Sequence, residues 1–245
     1  MAGTTPLSPA PGDPREGWHD DEMDAAARLT RRTELWVGIG LLVAATALGA
    51  EIFFLRGNAP FAVDAWWNQL LFLSRNDALL ALSYAMNWLG GGWFGIIGVP
   101  VIVVVVLLLL RKPWSAVYFV AAVAGSAVVV QLLKHTFGRA RPEDIVVVSD
   151  YGSFPSGHVA NATTIAVVLF VIFPRLWVEI VGAAWVVLMA FSRTYLGAHW
   201  LSDTLGGALA GAGAALLLAA AFGSLIARER DARMPRPTLE PHPPI

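Results

Sequence analysis

The chain has 245 residues, 56% of them hydrophobic and 14% charged, with a formal net charge of −1. Soluble domains average about 45–50% apolar and about 25% charged residues, so this composition points to a membrane protein and away from a nucleic-acid partner. Cysteine is absent, which excludes cysteine phosphatases, zinc–thiolate centres and disulfide scaffolds.

Residues 1–33 read as a polar N-terminal tail, and the cluster Asp20, Asp21, Glu22 and Asp24 as solvated carboxylates rather than a metal site. From Leu35 the chain turns apolar. A spanning helix needs about 20 mostly apolar residues. Stretches near that length fall at 35–55, 87–110, 114–134, 158–173, 177–192 and 200–225. The intervening segment 63–86 holds Trp66, Trp67, Leu70, Leu71 and Leu73, interrupted by Arg75, Asn76 and Asp77, and reads as an interfacial amphipathic piece. The expected fold is all-α: a six-transmembrane-helix bundle over 34–226, with an interfacial helix between the first two spans. Residues 227–245, rich in Arg and Pro, read as a disordered C-terminal tail.

With the N-terminus inside, 11 of the 17 Lys and Arg fall on the cytoplasmic side. The positive-inside rule then puts both termini in the cytoplasm. The other six are Arg56, Arg75, Lys134, Arg139, Arg141 and Arg193. Gly207 and Gly211 in the last span have the small-xxx-small spacing that lets helices approach closely. Gly90, Gly91 and Gly92 mark a tight or flexible turn, not a phosphate loop, because Trp93 and Phe94 follow where a Lys-Ser/Thr would be needed.

Three groups on the outer side carry chemistry. Lys134 ends the third span, and Arg141 follows in a loop broken by Pro142. Alone, these cations would read as side chains snorkelling to the interface. Pro155-Ser156-Gly157-His158 opens the next helix, where unpaired N–H groups and the dipole favour an anion and Gly157 lets the backbone come close to it. Alone, this is an ordinary capped helix start. Ser192-Arg193 is followed by His199 and Asp203, four apart and expected on one helical face. A carboxylate there would hold one imidazole nitrogen protonated and leave the other free to attack. Together the groups bring cations, imidazoles and a helix N-terminus to one membrane face, which suits phosphoryl transfer by fixed charges. No carboxylate cluster suggests a metal.

The motifs Lys-x6-Arg-Pro, Pro-Ser-Gly-His and Ser-Arg-x5-His-x3-Asp, in this order and at this spacing, resemble those of the phosphatidic acid phosphatase type 2 family, bacterial membrane lipid phosphatases among them; all 11 fixed positions match. The resemblance covers about 35–225. It implies His199 as the nucleophile that forms a phosphohistidine, Asp203 as its orienting carboxylate and His158 as the acid and base. Lys134, Arg141, Arg193, Ser156 and Gly157 would hold the phosphate, with no metal or other cofactor. Arg139 stands between substrate contact and surface charge. Gln131 and Asn161 read as hydrogen-bonding partners within the bundle, and Glu51 as an entrance or interface residue. The expected substrate is a lipid phosphate or diphosphate (undecaprenyl diphosphate, phosphatidylglycerophosphate or phosphatidate) in the cell membrane, reached from the extracytoplasmic face. Two alternatives are a carrier that binds phosphorylated lipid without turnover and a vanadate-dependent haloperoxidase, the latter disfavoured by the apolar spans.

Overall fold

The structure, a computed structural model, describes residues 14–231, with side chains from 28 to 230. Eight α-helices follow in order: α1 (Pro14–Ala50), α2 (Ala62–Leu73), α3 (Asp77–Gly90), α4 (Val99–Leu109), α5 (Pro113–Phe137), α6 (Gly157–Ile172), α7 (Leu176–Tyr195) and α8 (Leu201–Asp231). Wider π-helical turns extend α1 through Glu51–Leu55 and lead into α4 through Phe94–Gly98. No strand occurs among the described residues.

Helix α8 is the axis of the bundle and packs along α1, α5 and α6. Its small residues make that possible. A Cβ added at Gly207 or Gly211 would meet the backbone of Ser156 or Ala160 on α6 at under 3.0 Å. The Gly207–Gly211 spacing is therefore a helix-packing face. Helix α5 starts on Pro113, which lacks a donor where a helix has none to use. Glu229, near the end of α8, accepts from the next two amides, Trp114 N at 2.9 Å and Ser115 N at 3.4 Å. The opposite end of α5 closes on Gly138 in the left-handed region (φ 48°), whose N–H returns to the Lys134 carbonyl at 2.9 Å.

Many large apolar side chains face outward, among them Leu109 at 78% exposed and Val187 at 68%. Such surfaces fit lipid rather than water. Four helical stretches among the described residues are long and apolar enough to span a bilayer: Arg28–Leu55, Pro113–Phe137, Leu176–Tyr195 and Leu201–Arg230. The pair Asp77–Gly90 and Phe94–Leu109, bent by 47°, makes a fifth if the two helices are one broken span. Two expectations therefore change. The second span does not begin at 87: the chain is helical from Asp77 and bends at the glycine triplet, where α3 ends and Gly92 takes φ 56°. The segment 63–86 is split at Ser74–Asn76 between α2 and the first half of that bent pair. The expected fourth span is α6, 16 residues long. At 1.5 Å per residue that is about 24 Å, short of the roughly 30 Å hydrocarbon core.

Helix α1 begins at Pro14 and α8 runs to Asp231, so helix reaches into both segments read as tails, 1–33 and 227–245. The tail readings for 1–13 and 232–245 lie outside the described residues, as do the side chains of Asp20, Asp21, Glu22 and Asp24.

Candidate active site

The three motif groups converge where α5, α6, α7 and α8 meet the loop 138–156. A cavity of about 490 Å³ opens there, with Lys134, Gly157, His158, Arg193 and His199 on its walls. Along its length it becomes apolar, against Ile96, Val123, Ala127 and Val130.

His199 sits in the turn that precedes α8, not on the helix itself. Asp203, in the first turn of α8, accepts from the Trp200 amide at 2.8 Å and so caps the helix. That cap starts α8 at Leu201 and leaves the imidazole outside it. His199 Nδ1 donates to the Ser153 carbonyl at 2.7 Å, while Asp203 Oδ2 stands 3.8 Å away. The expected hydrogen bond to Asp203 is therefore replaced by one to a loop carbonyl. Its effect on the ring is the same: Nδ1 carries the proton and Nε2 keeps a lone pair. Nε2 faces Arg141 Nη1 at 3.4 Å. Burial first, then the charges of Arg193, Arg141 and Lys134, hold the His199 pKa well below the ordinary histidine value.

Lys134 and Arg141 are bound to the loop that follows them. Lys134 Nζ donates to Gly152 O at 2.8 Å and to Asp150 Oδ1 at 3.3 Å. Arg141 Nη2 donates to Gly152 O and Asp150 Oδ1, both at 2.8 Å, and its Nη1 to Ala198 O at 2.5 Å. Arg193, only 2% exposed, donates through Nη1 to the side-chain oxygen of Asn87. Its Nε has no hydrogen-bond partner among the described residues, and neither has Ser156 Oγ, fully buried at the N-cap of α6. Buried polar atoms left in this way are costly unless something else meets them. Gln131 and Asn161 also line the cavity.

Arg139 is not a surface charge. It is 1% exposed and is held between two carboxylates, Asp203 at 2.6 Å and Asp64 at 2.9 Å. Asp64, from α2, also accepts from Ser202 N at 2.8 Å and Ser202 Oγ at 2.7 Å. Sequence reasoning missed Asp64, although a lone carboxylate in an apolar segment was a usable signal. It also missed Asn87, a polar residue just ahead of the glycine triplet. Ser153 acts on His199 through its main chain, and no side-chain pattern could have found it.

The cavity is thus cationic at one end and apolar along its length, in a bundle with lipid-facing walls. The PAP2 superfamily matches residues 115–226, a span that contains all three motifs. Phosphatidylglycerophosphatase B of Bacillus subtilis is 27% identical over 163 residues, covering 62% of this chain and 80% of that protein. A lipid A 1-phosphatase of Rhizobium johnstonii is 32% identical over 123 residues, 44% of this chain and 48% of its own length. The chain thus spans about half of that second relative. In three dimensions, the crystal structure of the first transmembrane PAP2 type phosphatidylglycerolphosphate phosphatase from Bacillus subtilis superposes with a TM-score of 0.64 at 24% identity, over 82% of this chain and 98% of that one. The family match is thus to the PAP2 superfamily over residues 115–226, and both curated relatives are named as phosphatases.

Proposed function

We propose that this protein hydrolyses a lipid phosphate monoester or diphosphate through a phosphohistidine on His199, without a metal. The observation that carries the reading is His199 Nε2, its lone pair directed into a cluster of cations at 3.4 Å from Arg141. Phosphoryl transfer asks mainly for positioning and charge neutralisation, which Lys134, Arg141, Arg193 and the α6 N-terminus at Ser156 and Gly157 would supply.

In the first step Nε2 attacks phosphorus. The phosphorus–oxygen bond to the leaving group breaks, its electrons go to that oxygen, and His158 gives it a proton. In the second step water attacks the phosphohistidine and loses a proton to His158. The phosphorus–nitrogen bond breaks, its electrons return to Nε2, and inorganic phosphate leaves. Asp203, 3.8 Å from Nδ1, favours the positive charge that the imidazole gains during attack.

The apolar wall of Ile96, Val123, Ala127 and Val130 supports a lipid tail beside the phosphate. The names of the two relatives, for a glycerophospholipid phosphate and lipid A, support the same class. Purified protein is expected to release phosphate from phosphatidate or a polyprenyl diphosphate at the same rate with and without EDTA. His158→Ala is expected to slow release by about 10²–10⁴-fold, the range of general acid–base catalysis. Binding of the lipid without release, in every substrate tried, would leave a carrier and sink the enzyme.

The bundle lies in the cell membrane as six spans, with α6 as a short span, α2 at the interface and both termini cytoplasmic. The excess of Lys and Arg on the cytoplasmic segments supports this orientation. The cysteine-free chain allows a direct check at Val148, which is fully exposed on the loop beside the site. Val148→Cys is expected to react with a membrane-impermeant thiol reagent from outside the cell. Labelling only after the membrane is opened would reverse the orientation.

A further inference from the structure

The proposed acid, His158, and one of the phosphate cations, Arg193, share a neighbour that lies outside all three motifs. Asn87, in the last turn of α3, accepts from Arg193 Nη1 with its side-chain oxygen. Its main-chain carbonyl stands 3.2 Å from His158 Nε2. The next turn removes any side chain from the space the imidazole occupies. A Cβ at Gly91 would overlap the His158 ring, and one at Gly90 would overlap Met189 and crowd His158 at 3.2 Å. The bend between α3 and α4 begins at this point, with the Gly91 N–H returning to the same Asn87 carbonyl at 3.1 Å.

We infer that Asn87 and Gly91 are positioning residues for the reaction: Asn87 aims the Arg193 guanidinium at the phosphate, and Gly91 gives the His158 ring the clearance that fixes its attitude to the leaving oxygen. A carbonyl can only accept, so His158 Nε2 carries a hydrogen toward Asn87, the ring plane is set by that bond, and Nδ1 is left to give and take the proton of the reaction. A guanidinium with Nη1 committed to Asn87 and Nε without a partner among the described residues keeps donors for an oxyanion. The two residues act on different parts of the site, and therefore on different kinetic quantities. The inference rests on the phosphatase reading and on the role it gives to His158.

The test compares two phosphate esters of one alcohol class and one phenol class: a short-chain phosphatidate, whose alkoxide must be protonated as it leaves, and p-nitrophenyl phosphate, whose phenolate leaves unaided. Gly91→Ala is expected to lower kcat for phosphatidate by about 100-fold while changing p-nitrophenyl phosphate by less than about 5-fold, the pattern of a displaced general acid. In a His158→Ala background it is expected to add nothing, because the two changes act as one unit. Asn87→Ala is expected to raise KM, and the inhibition constant of inorganic phosphate, by about 5- to 10-fold with kcat largely kept, as loss of a charge-assisted hydrogen bond implies. Asn87→Asp, which keeps the acceptor, is expected to recover most of that affinity. Equal losses on both esters in Gly91→Ala, or a further loss on top of His158→Ala, would reduce Gly91 to a packing role and overturn the inference. So would an unchanged phosphate constant in Asn87→Ala. Failure of the wild-type protein to hydrolyse either ester would instead remove the phosphatase reading beneath it.

Discussion

His199→Ala is expected to lower phosphate release by at least about 10⁴-fold, the scale on which removal of a covalent nucleophile acts when binding groups remain. The same protein, acid-labile phosphoenzyme intermediate included, offers a second reading. Wild-type protein quenched during turnover with labelled substrate is expected to carry label that is released by acid and is absent from the variant. The pH profile follows from the environment of the ring. Its pKa is held below the ordinary value, so the neutral, attacking form persists as pH falls through about 6.5, and the acid limb of kcat/KM lies below that point. The shift comes from burial and from three cations, so replacing one of them, as in Lys134→Met, is expected to move the limb upward. An alanine variant retaining near wild-type turnover would discard the phosphohistidine. An acid limb centred on an ordinary histidine would discard the electrostatic account of it.

The second large effect lies away from the cavity. Arg139→Met is expected to cost about 3–5 kcal/mol of stability, because it leaves Asp64 and Asp203 buried without the cation between them. Asp64→Ala is expected to act in the same range by freeing the guanidinium on one side and the Ser202 amide on the other. Thermal unfolding in detergent, measured for both, reads the effect as a drop in Tm. A change no larger than that of an exposed substitution, within about 0.5 kcal/mol, would mean that the pair contributes nothing net. Activity is expected to fall with stability, since Arg139 holds the carboxylate that faces the His199 ring.

How much of this could be read in advance differs from residue to residue. Lys134, His158, Arg193 and His199 were legible because each residue type is costly beside a bilayer and their spacings repeat a known pattern. All of them line the one cavity described. The relation of His199 to Asp203 was misjudged in form. The i, i+4 spacing implies a shared helical face only inside a helix, and the Asp203 cap on Trp200 starts α8 two residues too late for that. Asp64 was missed because its partners are 75 and 138 positions away, and such distances carry no local pattern. The bend near residue 91 was half visible. The three glycines announced a break, but only the packing of His158 against them gives it a purpose. Arg139 was weighed between two exposed roles because nothing in the motif foretold that a second carboxylate would close over it.

The contact of Gly207 and Gly211 with α6 carries a mechanical consequence. The Ser156 amide also donates to the Asp203 carbonyl at 3.0 Å, so α6 and α8 are tied at the site end as well as along their flanks. The two imidazoles therefore ride at neighbouring ends of two helices that are tied together, while Arg193 and Asn87 belong to α7 and α3. A shift of α7 against that pair would change the grip on a substrate without altering the separation of His158 and His199.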